Sequence, residues 1–72
     1  MSVAISFADV KRMLDKCAPG YRIELKPHFR FVYWHGIVFP TLPKHDNIYV
    51  GHVRKMARTF GILECAKTFP GI

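Results

Sequence analysis

Lys26-Pro27-His28-Phe29-Arg30-Phe31-Val32-Tyr33-Trp34-His35-Gly36 is the stretch whose reading decides the fold. From Phe29 the side chains alternate, the pattern of a β-strand whose neighbours point to opposite faces. Phe29, Phe31 and Tyr33 share one face; His28, Arg30, Val32 and Trp34 share the other. His35-Gly36 reads as a two-residue hairpin turn, with glycine supplying a positive backbone angle. Upstream, Tyr21–Lys26 alternates as well, with Tyr21, Ile23 and Leu25 opposite Arg22, Glu24 and Lys26. Downstream, Ile37–Leu42 reads as a third strand. Pro40 inside it lacks a donor for a ladder bond, which predicts an edge position.

Helices flank this trio. In Ser6–Cys17 the residues Phe7, Val10, Leu14 and Cys17 recur at three- and four-residue spacing, Ser6 and Asp9 form a capping box, and Pro19-Gly20 ends the segment. Val50–Phe60 has the same periodicity at Val53, Met56, Ala57 and Phe60, with Gly61 placed as a C-terminal stop. The order is α-β-β-β-α, a single α+β domain with a three-stranded antiparallel meander and both helices on one face. Residues 63–72 are apolar but too short to classify.

With the turn at His35-Gly36, Trp34 pairs with Ile37, Val32 with Phe39, Arg30 with Thr41 and His28 with Pro43. On this register the side away from the helices carries His28 and Arg30 at one end. Val32, Trp34, Ile37 and Phe39 form an apolar patch toward the hairpin, suited to a protein partner or a second copy of the chain.

The 72 residues hold 11 Lys and Arg against 5 Asp and Glu, a net charge of +6. Such density on a small body favours a polyanionic partner: nucleic acid, an acidic protein surface or an anionic membrane surface. Apolar runs are short and broken by charge, so no membrane span is expected. The N-terminal residues lack a secretory pattern, and a cytoplasmic setting is the default expectation. Cys17 and Cys65 stand among apolar neighbours and read as buried, reduced thiols. His28, His35, His45 and His52 fit no zinc-ligand spacing, so neither a metal nor a cofactor is expected.

Four segments, taken in order, resemble the HicA-type (YcfA-like) toxins of bacterial toxin–antitoxin pairs. They are Gly20-Tyr21 after the first helix; His28-Phe29-Arg30-Phe31; Pro43-Lys44-His45; and Val50-Gly51-His52-Val53-Arg54 through Gly61-Ile62. Together they cover roughly residues 6–62. The resemblance implies a double-stranded-RNA-binding-domain-like fold, cleavage of messenger RNA, and neutralisation by an antitoxin protein. It also implies that His28 is the catalytic residue.

An imidazole has an unperturbed pKa near 6.5 and serves as acid or base close to neutrality. Arg30, Lys26, Lys44 and His45 are the candidates for holding phosphate around it. Arg54, Lys55 and Arg58 form the basic side of the second helix, a further candidate RNA contact. Lys26-Pro27 stands where the family has Gly-Ser. That departure motivates a second reading, a non-enzymatic RNA-binding or protein-interaction module that kept the fold and lost the chemistry.

Overall fold

The computed structural model of the chain describes residues 3–72. Its elements are β1 (Ala4–Ser6), α1 (Phe7–Cys17), β2 (Arg22–Leu25), β3 (Phe29–Trp34), β4 (Ile37–Pro43), β5 (Asn47–Tyr49), α2 (Val50–Phe60) and α3 (Leu63–Ala66). The three central strands form one antiparallel sheet in the order β2-β3-β4, so Pro40 does lie in an edge strand. The hairpin at His35-Gly36 is borne out. Both residues have positive φ, 50° and 76°, as a tight turn between twisted strands requires.

One hydrophobic cluster holds the fold together. Val10, Met13 and Leu14 of α1 meet Val53, Met56, Ala57 and Phe60 of α2 over Val32, Phe39 and Leu42 of the sheet. The helical spacing therefore identified the buried sides correctly, and both helices cover the same sheet face. Ser6 caps α1 by accepting the Asp9 backbone N–H at 3.1 Å. The reciprocal half of the capping box is absent, because the Asp9 carboxylate takes Arg12 instead, at 2.5 Å.

The covered face is the reverse of the one expected. Val32 is fully buried and Phe39 is 3% exposed, so both belong to the core and not to an outer patch. Trp34 is half-buried against the edge of Phe60, and its indole N–H donates to the Pro19 carbonyl at 3.0 Å. Of the four residues assigned to a partner surface, only Ile37 is exposed. The Trp34–Ile37 and Val32–Phe39 pairings are as expected, but an irregularity between Arg30 and Val32 then places Arg30 opposite Leu42 and Phe29 opposite Pro43. Two helices of this size bury more apolar surface against Val32, Phe39 and Leu42 than against a face carrying Arg22, Glu24 and Lys26. Burial decides the orientation.

Besides α3, two strands have no counterpart in the sequence reading. β1 and β5 pair antiparallel as a separate two-stranded ladder, Ile5 opposite Ile48. Its flanking bonds run from the Phe7 N–H to the Asp46 carbonyl (2.7 Å) and from the Val50 N–H to the Val3 carbonyl (2.8 Å). Each helix thus has its first orphan donor met by the chain that leads into the other helix.

The last residues return over the core. Phe69 and Ile72 pack against it, and Cys65 of α3 is joined to Cys17 of α1 by a disulfide with a Cα–Cα distance of 5.7 Å. This corrects the expectation of two reduced thiols. A bond between residues 48 apart in sequence restricts the unfolded chain by about 4 kcal/mol in the loop-entropy model, and a core this small gains much from such a link. Reduction, or Cys65→Ser, is expected to lower unfolding stability by about 2–4 kcal/mol in urea melts. An unchanged midpoint would show that the bond does not form.

Candidate nucleic-acid interface

At the end of the sheet away from the hairpin, β2 turns into β3 through Lys26-Pro27-His28, closed by the Lys26 N–H donating to the Phe29 carbonyl at 2.9 Å. His28 is exposed at this turn, just ahead of β3. Among the described residues, no side-chain hydrogen bond holds its ring. The turn is also where β4 ends, since Phe29 lies opposite Pro43. Lys44 reaches across from there and its Nζ donates to the Pro27 carbonyl at 3.0 Å. An ammonium is thereby tethered to the residue next to the imidazole.

Arg30 does something different from what the sequence suggests. It is only 9% exposed, its NH1 donates to the carbonyls of Pro43 (2.7 Å) and His45 (3.1 Å), and its guanidinium lies 3.6 Å from the centre of the Phe7 ring. Burial pushes its pKa down, partly offset by the Asp46 carboxylate, but a guanidinium remains charged under any ordinary condition. Arg30 is therefore not a phosphate contact. It fixes the backbone of Pro43-Lys44-His45, and so the place from which Lys44 reaches the His28 turn. His45 contributes its carbonyl inward while its ring stays exposed.

Lys26 turns the other way, onto the uncovered side of the sheet. It pairs with Glu24 and stands 5.6 Å from the Phe31 ring centre. The bond between the two raises the Lys26 pKa and lowers that of Glu24, so both stay charged near neutrality. Arg54, Lys55 and Arg58 are exposed along α2, as the periodicity required. Arg54 is partly occupied, donating to the Ile72 carbonyl at 3.3 Å. No hydrogen bond or ion pair among the described residues joins these three to the His28 turn.

His28 and Lys44 are thus brought together, Arg30 is withdrawn, and the helical cations form a separate group. Among the described residues no three His, Cys, Asp or Glu side chains converge as metal ligands would. No helix there is long and apolar enough to cross a membrane. The sequence reading missed Phe29, Phe31 and Tyr33 as surface groups because it gave the side away from the helices to His28, Arg30, Val32 and Trp34. Comparisons with protein-family models, with curated proteins and with solved structures returned no match.

Because Arg30 carries two charge-assisted bonds in a part-buried site, Arg30→Ala is expected to cost about 2–4 kcal/mol of stability. Lys44→Ala, on the surface, should stay within about 0.5 kcal/mol. Chemical denaturation of the two variants checks the contrast, and an Arg30→Ala protein as stable as the parent would contradict the clamp.

Proposed function

We propose that the chain is a small basic RNA-binding protein of the HicA-like kind. In this reading α1, the β2-β3-β4 meander and α2 correspond to a double-stranded-RNA-binding-domain-like arrangement. An antitoxin protein is its regulatory partner and the cytoplasm its place of action. The observation that carries the reading is the exposed His28 in a turn to which the Lys44 ammonium is tethered through the Pro27 carbonyl, in a chain of net charge +6.

RNA cleavage at such a site needs no metal. His28 takes the proton of a ribose 2′-hydroxyl, which attacks the adjacent phosphorus and displaces the 5′-oxygen. The products are a 2′,3′-cyclic phosphate and a 5′-hydroxyl, the latter drawing its proton from water. Lys44 faces the non-bridging oxygens, where negative charge grows. Arg54, Lys55 and Arg58 on α2 supply phosphate contacts of the kind that recognise a duplex by shape.

A second reading, binding without cleavage, is favoured by one observation. No side chain orients the His28 ring, whereas a general base usually has a partner that holds it. The same assay separates the two. Wild-type protein and His28→Ala are compared for binding of hairpin RNA across a salt series and for cyclic-phosphate products. Both are run oxidised and reduced, since a reducing cytosol would open the 17–65 bond. The expected result is salt-sensitive binding by both proteins and cleavage by the wild type alone. Binding with no cleavage by either selects the second reading; absence of RNA binding overturns both.

A further inference from the structure

The uncovered face of the sheet carries a feature that neither the His28 turn nor the α2 cations use. Alternation along β3 sends Phe29, Phe31 and Tyr33 to this face, and Phe29 is 42% exposed. Pairing with β2 sets Arg22 opposite Tyr33 and Glu24 opposite Phe31, and Lys26 follows just beyond the end of β2. The Phe31 and Tyr33 ring centres are 6.5 Å apart, their planes tilted by 50°. The Arg22 guanidinium lies 4.9 Å from the Tyr33 centre and the Lys26 ammonium 5.6 Å from that of Phe31. Across the sheet, Val38 opposite Tyr33 is 43% exposed and extends the apolar floor.

We infer that this face is a docking surface for a single-stranded segment of RNA, distinct from the duplex-facing cations of α2. Phe31 and Tyr33 stack successive bases, Phe29 extends the platform toward the His28 turn, and Arg22 and Lys26 take the phosphates that accompany those bases. Rings alternating with cations are what a single strand needs, because every base has a π-face and every link a negative charge. In the free protein the two cations rest on the rings; Lys26 has only an exposed pairing with Glu24 to give up.

Charge selects the occupant. Of the five acidic residues, Asp9, Asp15, Asp46 and Glu64 lie outside this sheet, and Glu24 on it is already paired. A second copy of the chain would bring +6 against +6. A polyanion meets no such repulsion, and flat bases match the exposed rings better than acidic side chains do. The inference extends the RNA-binding reading but stands on different residues, so the two can fail separately.

The test uses fluorescence anisotropy with labelled oligouridine, which stays unpaired, and with a hairpin RNA. It is done in the His28→Ala background so that neither probe is cut. Phe31→Ala and Tyr33→Ala should each weaken oligouridine binding by roughly 5- to 100-fold while leaving hairpin binding unchanged, in urea-free buffer where both variants are folded. Phe31→Tyr, which keeps a ring and the fold, should bind oligouridine like its parent. Lys55→Ala with Arg58→Ala should show the converse pattern, losing the hairpin and keeping oligouridine. Equal oligouridine binding by parent and Phe31→Ala would overturn the assignment. So would self-association, or binding to phosphatidylserine vesicles, that Phe31→Ala abolishes while oligouridine is ignored.

Discussion

The structure turns on one buried cation. Removing a guanidinium from water is costly, and here the cost is offset by bonds from NH1 to two carbonyls at and just beyond the end of β4 and by the face of an aromatic ring. The clamp joins three places in the chain: Arg30 in β3, Phe7 at the start of α1, and the Pro43–His45 segment that ends β4 and follows it. Among the described residues no buried side-chain nitrogen or oxygen is left without a partner. The clamp lets Arg30 share with Val32 the inward side of β3 that apolar burial selects. It also holds the loop from which Lys44 approaches His28. Fold and candidate site therefore share a support.

Much of the architecture was legible. The helical spacing around Val10 and Leu14, and again from Val53 to Phe60, named the core; His35-Gly36 named the turn, and Pro40 the edge. What failed was the choice between two faces of an alternating strand. Both faces of β3 hold aromatic residues, and an arginine on one of them reads as exposed because lone charges rarely enter cores. Only the carbonyls of Pro43 and His45, invisible to any pattern of side chains, make Arg30 an inward residue. β1 and β5 were missed for a related reason. Three-residue strands show no periodicity, and their value lies in backbone bonds that satisfy the first turns of two helices. The disulfide was missed because the spacing of two cysteines carries no information about a tail that folds back across α1.

The exchange of faces changes the chemistry on offer. The apolar groups first assigned to a partner, Val32 and Phe39, are interior and available to nothing. In their place the surface presents Phe29, Phe31 and Tyr33 beside Arg22 and Lys26. The molecule thus has three kinds of basic surface in different settings: one around an unheld imidazole, one along a helix, and one interleaved with rings. In the oxidised protein a covalent link between α1 and α3 adds to the restraint that packing gives so small a core.

The inward and outward faces of β3 are most directly told apart by solvent exposure of individual rings. Relaxation enhancement of aromatic ring protons by a soluble paramagnetic agent reads this in the folded, oxidised protein. The account requires strong enhancement at Phe29, intermediate enhancement at Phe31 and Tyr33, and protection at Phe39 and Phe60, which are 3% and 5% exposed. Protection of Phe31 together with strong enhancement at Phe39 would contradict it, and with it the inward placement of Arg30.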